Sequence, residues 1–359
     1  MAESTPLLDK KRETPLPTFT FAKDTPHGKR PQAIAHRGYK ATHPENTMGA
    51  FKAAVDLGVD ALEVDLHMSK DGVVVLSHDP TLKRCFGKDD RIVDCNWEYL
   101  QTLRTLKSPQ PMPRLHDLLE YLTTPGLEDI WILLDIKLLL PSLTDAMLGT
   151  KTAKKLDDYA EDLFRAIAAT LADAKPSSRP WNERILLGCW AVSLYVYLRL
   201  LNPNLRLKAK YLPLCTKYLP EYPITHIGFS VDYARQFLKV PRVGLNLFQK
   251  LIVGPRGASL IREVKQQKAE RTLLFWTVNE EYWMKWSIRQ EVDGVITDDP
   301  EKYLEVRKTY DKDEALRQSW ASWKGILGWH WHFVKYGFSF RVKHGFWVNV
   351  QKVRKHLEG

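Results

Sequence analysis

The chain has 359 residues, of which 44% are hydrophobic, and its formal net charge is +10. This length accommodates one large barrel or two domains, and the composition is sufficient for a sizeable core. No window contains about 18 uncharged apolar residues, so a membrane-spanning helix is not expected. The polar N-terminus lacks the apolar region of a signal peptide, and the four cysteines show no CxxC spacing. We therefore expect free thiols and an intracellular protein that is not secreted.

The first 30 residues differ in composition from those that follow. They mix prolines with charges of both signs and show little periodicity, which is typical of a flexible leader without chemistry. We therefore divide the chain into a leader of residues 1–30, a folded domain of residues 31–312 and a C-terminal segment of residues 313–359.

Short apolar runs alternate with longer amphipathic stretches throughout the folded domain. Eight of the short runs are candidate strands: AIAH, ALEVDL, DIWILLDI, RILLGCWA, LRLKAKYL, HIGFSVD, RTLLFWTV and DGVITDD. Strict alternation of strand and helix, repeated eight times, favours a (β/α)8 TIM barrel of the α/β class over an open doubly wound sheet. Residues 80–112 interrupt the alternation as a short insertion after the second strand.

Polar residues with catalytic potential lie at the ends of these runs. His36 ends AIAH and precedes Arg37, Glu63 and Asp65 lie in ALEVDL, and His78 ends VVVLSH. Residues two apart on a strand share a face, so the two carboxylates point the same way and suit a hard cation such as Mg²⁺ or Ca²⁺. Two histidines beside such a cation can divide acid and base work, and the arginine matches a phosphate. The combination indicates phosphodiester chemistry.

The order HRG, PENT, ExD and HD resembles the glycerophosphodiester phosphodiesterase family. The runs HRGYKATHPENT, LLDIK, LFWTVN and GVITDDP are further similar to its fungal phosphatidylglycerol-specific phospholipase C branch. The resemblance covers residues 32–309 and implies a divalent cation, Mg²⁺ or Ca²⁺, held by Glu63, Asp65 and Asp135. It also implies His36 as the base and His78 as the acid, although the sequence alone leaves that direction open.

The same resemblance assigns two cationic side chains to the substrate phosphate. These are Arg37 and Lys137, and Lys137 lies two residues after Asp135 in LLDIK. The family more usually has Glu at the position of Asp135, so the shorter side chain leaves open whether it binds metal directly or through water. A simple ion pair between Asp135 and Lys137 at the strand end is the structural alternative.

Other positions at the strand ends allow two interpretations. Trp276 either lines the substrate side of the site or packs in the core. Asp298 and Asp299 precede Pro300, and we favour the interpretation that they cap the last helix. Glu45, in HPENT, is close enough in sequence to His36 to contact the metal or one of its ligands.

The C-terminal segment is basic and aromatic. Residues 315–359 contain eight Lys or Arg and one Glu, which accounts for +7 of the net charge, and they include five tryptophans. Indole rings favour the headgroup zone of a bilayer, and basic residues are attracted to anionic lipid. We expect an interfacial membrane anchor, with an aromatic flap packed on the barrel as the alternative. No nucleic-acid fold signature accompanies this segment, and no protein partner is predicted.

These features together predict a metal-dependent phosphodiesterase at a cytosol-facing membrane. By resemblance, its substrate is an anionic glycerophospholipid, first of all phosphatidylglycerol, and its products are diacylglycerol and glycerol phosphate. Two alternatives remain open. One is a hydrolase of water-soluble glycerophosphodiesters, which would need no membrane anchor, and the other is a non-catalytic lipid-binding barrel.

Overall fold

The computed structural model describes residues 14–25, 28–137, 150–190, 211–267 and 270–310. The chain divides into two compact units, residues 1–308 and residues 309–359. The predicted C-terminal segment, residues 313–359, lies outside the described residues, and so do residues 1–13 of the leader. Among the helices that are described, none has the length and apolar content needed to cross a bilayer.

A closed parallel barrel forms the centre of the first unit. Its eight strands are β1 Gln32–His36, β2 Ala61–Met68, β3 Trp131–Ile136, β4 Ile185–Trp190, β5 Ile224–Gly228, β6 Gly244–Phe248, β7 Leu273–Trp276 and β8 Gly294–Thr297. Each strand pairs in parallel with the next, and β8 pairs in parallel with β1, which closes the barrel. The predicted TIM-barrel fold is confirmed.

Within the described residues, a helix of seven or more residues follows each strand on the outside of the barrel. These are α1 Met48–Asp56, α2 Leu115–Tyr121, α3 Thr150–Asp173, α4 Tyr211–Tyr218, α5 Val231–Phe237, α6 Pro255–Gln266, α7 Glu281–Arg289 and α8 Pro300–Thr309. Shorter helical turns are Thr18–Thr20, Lys83–Phe86, Ile92–Asp94, Trp97–Leu100, Trp181–Glu183 and Gln249–Ile252. Parallel neighbours require such crossover helices, which is why the sequence alternates as it does.

The prediction of LRLKAKYL as the fifth barrel strand was wrong. The run LRLKAKYL has its last two residues in α4, and its remaining residues lie outside the described ranges. The barrel instead uses GLNLF, the strand β6, which the sequence analysis missed. LRLKAKYL alternates apolar and basic residues as a half-exposed strand does. Strands of a parallel barrel are covered on both faces, and β6 is buried over its first four residues.

Side chains that point into the barrel change from apolar to polar along three of its strands, β1, β2 and β3. A buried apolar cluster fills the interior towards the N-terminal ends of the strands: Ile34, Ala61, Trp131, Leu133, Leu186, Leu274 and Ile296. Further along β1, β2 and β3, in steps of two residues, the same face carries His36, Glu63, Asp65 and Asp135. The barrel therefore has a closed apolar end and a polar carboxyl end, as the fold requires of an enzyme site.

Part of the predicted leader contains regular structure. Residues Lys23–Thr25 and Gly28–Arg30 pair as an antiparallel hairpin, and the ring of Phe19 lies 5.7 Å from the ring of Trp131. The Gln32 amide donates to the carbonyl of Phe19 at 2.8 Å, and its oxygen accepts from the Trp131 indole at 2.7 Å. This part of the leader thus covers the apolar end of the barrel.

The insertion between β2 and α2 has a small core of its own. A short strand, Val74–Leu76, pairs antiparallel with the end of β2. The buried members of this core, which we call the insertion core, are Val75, Leu82, Ile92, Leu100, Leu103 and Met112. Because His78 lies two residues after the end of the short strand, its position depends on the insertion as well as on the barrel.

Candidate active site

The carboxyl ends of the strands surround a cavity of about 150 Å³. All the predicted site residues except Asp65 line it: His36, Arg37, Glu63, His78, Asp135, Lys137 and Trp276. Asp65 is fully buried on β2, and its register partner on β3 is Asp135. The barrel therefore brings together residues that are up to 240 positions apart in the sequence.

Three buried carboxylates form the floor of this site. Glu63, Asp65 and Asp135 each place one oxygen within 4.8 Å of the others. Burial and the two neighbouring carboxylates raise the pKa of Glu63 well above its ordinary value. Burial also disfavours the ionised form of Asp65, but Lys137 and Arg37 outweigh it and lower the pKa of that carboxyl. Three crowded acidic oxygens repel one another, and a cation between them would relieve that repulsion.

The donor set fits a hard divalent cation. All three groups offer oxygen, and the buried Oδ1 of Asp65 accepts no hydrogen bond in the described part of the chain, although Lys137 Nζ lies 3.0 Å away. Asn46 donates to the other oxygen, Oδ2, at 2.8 Å and so orients the carboxylate. The expected pair between Lys137 and Asp135 is also present at 2.6 Å, so the ion pair and the carboxylate cluster coexist.

Arg37 is held in place by acidic groups on three sides. Its Nε lies 3.1 Å from Asp65 Oδ2, its Nη1 donates to Glu45 Oε1 at 2.9 Å, and its backbone N–H donates to Glu63 Oε2 at 2.9 Å. Its φ of +58° turns the chain sharply after β1 and brings the amide onto Glu63. Glu45 lies outside the group of three carboxylates and contacts Arg37 and Arg84 instead.

His36 has a carboxylate behind it. Its Nδ1 lies 2.5 Å from Oδ1 of Asp298, and Asp298 also accepts from Asn279 at 2.8 Å and from Lys40 at 3.2 Å. Burial lowers the pKa of His36 despite this partner. A proton on Nδ1 directed at Asp298 leaves Nε2 free to exchange a proton in the cavity.

The capping interpretation holds for only one of the two adjacent aspartates. Asp299 accepts the backbone N–H of Lys302 at 3.2 Å and caps α8, as expected. For Asp298 the interpretation was wrong, because its side chain turns to His36 on the neighbouring strand. The local sequence DDP fits a cap equally well at both positions, and only closure of the barrel between β8 and β1 distinguishes them.

His78 has an equivalent partner in the residue that follows it. Its Nδ1 lies 2.7 Å from Asp79 Oδ1, and Arg84 donates to the other oxygen of Asp79 at 2.6 Å. The buried His67, on β2, donates from Nε2 to the backbone carbonyl of His78 at 3.2 Å. Asp79, Arg84 and His67 were not predicted from the sequence, although Asp79 is part of the HD motif.

An aromatic surface forms the opposite side of the cavity mouth. Its members, which we call the aromatic wall, lie at the ends of β4, β5, β6 and β7: Trp190, Phe229, Phe248 and Trp276. Ring centroids of adjacent members lie between 5.1 and 5.8 Å apart. Phe229 is 48% exposed, whereas the indole of Trp276 donates to the Asn246 carbonyl at 3.1 Å. Trp276 lines the cavity and also packs against the buried apolar cluster of the barrel, so its position agrees with both interpretations.

Trp190 joins the aromatic wall to the carboxylates. Its indole N–H donates to Asp135 Oδ1 at 2.6 Å, and the Lys137 ammonium lies 5.0 Å from its ring centroid. Trp190 thus holds Oδ1 of Asp135, while Lys137 holds the other oxygen, Oδ2. The sequence offered one signal for Trp190, since it ends an apolar run as His36 does, but an aromatic residue there also fits the core.

Comparison with known proteins identifies the family to which the chain is similar. The sequence profile of the glycerophosphoryl diester phosphodiesterase family matches residues 36–302. A glycerophosphodiester phosphodiesterase of Caldanaerobacter subterraneus is 26% identical over 285 residues, which is 77% of this chain and 97% of that protein. Human lysophospholipase D is 48% identical, but only over 64 residues, which is 18% of this chain and 20% of that protein.

Solved structures show the same fold. A glycerophosphoryl diester phosphodiesterase of Silicibacter pomeroyi superposes with a TM-score of 0.62 at 17% identity, covering 82% of this chain and 98% of that one. An Oleispira antarctica phosphodiesterase, solved with the product sn-glycerol-3-phosphate, gives 0.57 at 20% identity and covers 78% and 97%. Members of the matched family are phosphoric diester hydrolases that use a divalent metal. With its profile match extending over most of the chain, this enzyme belongs to the glycerophosphoryl diester phosphodiesterase family.

Proposed function

We propose that this enzyme cleaves the headgroup from an anionic glycerophospholipid, with phosphatidylglycerol as the first candidate, in the manner of the fungal phosphatidylglycerol-specific branch. The observation that carries the proposal is the division of the cavity mouth. Arg37 and Lys137 lie among the ionic groups on one side and suit a phosphate, whereas the aromatic wall on the other side suits apolar chains. The half-exposed Phe229 extends the apolar surface out of the cavity.

The chemistry follows from the two histidines. His36 removes a proton from the attacking hydroxyl, which is water or the 2-hydroxyl of the glycerol headgroup. As the new bond to phosphorus forms, the bond to the diacylglycerol oxygen breaks, and His78 protonates that oxygen. If the headgroup hydroxyl attacks, water then opens the cyclic phosphate. The products are diacylglycerol and glycerol phosphate.

The carboxylates and cations stabilise the charge that develops during this reaction. Glu63, Asp65 and Asp135 would hold one Mg²⁺ or Ca²⁺, which supplies positive charge at a phosphate oxygen. Arg37 and Lys137 bind the remaining phosphate oxygens. Acidic groups already hold the side chains of Arg37 and Lys137 in place. These two side chains therefore need little reorganisation when the substrate enters.

A second candidate is hydrolysis of lysophospholipids or water-soluble glycerophosphodiesters. The local identity of 48% to human lysophospholipase D favours it. The two candidates differ in the bond that is cut. The first leaves diacylglycerol and glycerol phosphate, whereas a lysophospholipase D leaves the phosphate on the acylated glycerol.

The test supplies the purified full chain with phosphatidylglycerol, lysophosphatidylcholine and glycerophosphocholine, each with and without EDTA, and identifies the products by mass spectrometry. We expect diacylglycerol and glycerol phosphate from phosphatidylglycerol, lost with EDTA and restored by Mg²⁺ or Ca²⁺. The variant His36→Ala, measured in parallel, controls for contaminating activity. Release of phosphatidic acid, or turnover of the other two substrates alone, would overturn the proposal in favour of the second candidate.

We also propose a peripheral position on an intracellular membrane that faces the cytosol. The basic and aromatic composition of residues 315–359 supports this. Flotation with liposomes of phosphatidylglycerol or phosphatidylcholine, at low and high salt, compares the full chain with a truncation after Glu314. We expect the truncation to lose binding, most of all to the anionic liposomes, and equal flotation of both proteins would refute the anchor.

A further inference from the structure

Arg84 joins two carboxylates that lie on different segments around the site. It belongs to the short helix Lys83–Phe86 of the insertion. Its Nε donates to Asp79 Oδ2 at 2.6 Å, while Nη1 and Nη2 donate to the two oxygens of Glu45 at 2.8 and 2.7 Å. Three of its five N–H donors are therefore engaged by carboxylates, in the paired geometry that a guanidinium allows.

Each of these carboxylates holds a group of the active site. Asp79 faces Nδ1 of His78 at 2.7 Å, and Glu45 accepts from Arg37 at 2.9 Å. Arg37 in turn lies 3.1 Å from Asp65. A continuous series of charge-assisted contacts thus leads from His78 through Arg84 to the carboxylate cluster.

Arg84 itself does not touch the reacting groups. Its side chain is 48% exposed and is not among the residues that line the cavity, whereas the side chain of Glu45 is 8% exposed. Burial disfavours the charged form of Glu45, but Arg84 and Arg37 together hold its pKa below the ordinary value. The hydrogen bond with His78 and the contact with Arg84 both lower the pKa of Asp79. Removal of Arg84 would leave each carboxylate with one charged partner fewer.

We infer that Arg84 is a positioning residue, which fixes the imidazole of His78 through Asp79 and the guanidinium of Arg37 through Glu45. The inference rests on the roles proposed above for His78 and Arg37. It makes the insertion part of the active-site support, since the insertion core holds the helix that carries Arg84. A lysine in its place offers one compact ammonium and does not reproduce the three contacts.

The test compares Arg84→Met with Arg91→Met on a water-soluble glycerophosphodiester. Arg91 is the matched control, because it lies in the same insertion and makes a paired contact of 2.6 and 3.0 Å with Asp94, away from the cavity. We expect Arg84→Met to lower kcat/KM by about 10–100-fold, as loss of a supporting contact typically does. Part of the loss should fall in kcat, through His78, and part in KM, through Arg37. Arg91→Met should stay within about twofold, as surface substitutions do.

Two further measurements separate positioning from general stability. In double-mutant cycles, Arg84→Met should cost much less when Asp79→Asn and Glu45→Gln are already present, because its effect passes through them. Arg84→Lys should fall between the wild type and Arg84→Met, at an unchanged melting temperature. Should Arg84→Met fold poorly, the Lys variant and its cycles provide the same test.

The inference is overturned if Arg84→Met and Arg91→Met behave alike, or if the losses from Arg84→Met and from both carboxylate variants multiply independently. His78→Ala in the same assay separates this outcome from a failure of the proposed mechanism. If His78→Ala keeps full activity, the role of His78 is wrong. The effect of Arg84 would then appear only in KM, through Glu45 and Arg37.

Discussion

Each of the two histidines of the site contacts an aspartate, but different parts of the molecule hold the two pairs in place. Nδ1 of His36 lies 2.5 Å from Asp298, and Nδ1 of His78 lies 2.7 Å from Asp79. His36 ends β1, and its aspartate follows the adjacent β8, so hydrogen-bonded strands set their separation. His78 and Asp79 lie outside the barrel, where the insertion and Arg84 hold them.

This difference appears in how much each pair meets solvent. The side chain of His36 is 11% exposed, against 34% for His78 and 48% for Arg84 behind it. Contacts between charges strengthen as water is removed, so the pair at the barrel end is the stiffer of the two. The barrel therefore positions one of the two proposed proton-transfer groups, His36, and the insertion positions the other, His78. Substitutions on the two sides should differ accordingly.

The largest effects should come from the histidines themselves. His36→Ala and His78→Ala should each lower kcat by about 10²–10⁴-fold, the usual contribution of a general acid or base. Both residues lie beyond the apolar layers of the barrel, so the melting temperature should change little. Steady-state kinetics with a melting curve for each variant checks this. A variant that keeps a third of the wild-type turnover would lose its assigned role.

The effects of replacing the aspartates behind the histidines should rank in the order of burial of the histidines, whose side chains are 11% exposed for His36 and 34% for His78. Asp298→Asn should lower kcat by about 10²-fold and Asp79→Asn by about tenfold, because the drier pair relies more on the charge. Asp298 also orders Asn279 and Lys40, which the amide would disturb. Both variants are assayed on one soluble substrate at saturation. The reverse ranking would show that the insertion side controls the reaction more tightly than the barrel side.

Two buried leucines, one in each core, test whether the barrel and the insertion unfold together. Leu133 and Leu82 are fully buried, the first in the barrel cluster and the second in the insertion core. Leu133→Ala should destabilise the whole barrel by about 2–5 kcal/mol. Leu82→Ala should mainly speed hydrogen exchange in residues 80–112 and reduce turnover, while the main thermal transition moves little. An equal fall in melting temperature would mean that insertion and barrel form one cooperative unit.

The smallest effect should come from salt. The contacts of Arg84 are partly exposed, and such pairs contribute up to about 1 kcal/mol before screening. High salt should therefore lower kcat of the wild type by no more than about fivefold at saturating soluble substrate. The same salt should leave kcat of Arg84→Met nearly constant. If kcat of both proteins fell equally with salt, screening of the Arg84 contacts would not be the cause.

Much of the site was predictable because its residues follow strand periodicity. Glu63 and Asp65 lie two apart on β2, and Asp135 and Lys137 lie two apart at the end of β3, so a shared face follows from strand geometry. Strict alternation of strands and helices then places these ends at one mouth. The predictions of the barrel, the acidic cluster and the nearby cationic side chains all depend on this local rule.

The residues that sequence reasoning missed depend on contacts between distant segments. Asp298 lies 262 positions from His36, and nothing local separates its role from that of its neighbour Asp299. Arg84 is a half-exposed arginine in a charged stretch, indistinguishable in sequence from Arg91. The strand β6 was missed because Asn246 interrupts its short apolar run, and an alternating run elsewhere looked more strand-like.

A crystal structure with Mn²⁺ and sn-glycerol-3-phosphate would test the metal site and the positions of the two histidines together. We expect one anomalous peak between the three carboxylates, Glu63, Asp65 and Asp135. We also expect the phosphate to lie beside the side chains of Arg37 and Lys137 and to face both histidines, His36 and His78. A manganese peak away from these carboxylates would refute the metal site, and a phosphate that neither histidine can reach would refute the roles of the histidines.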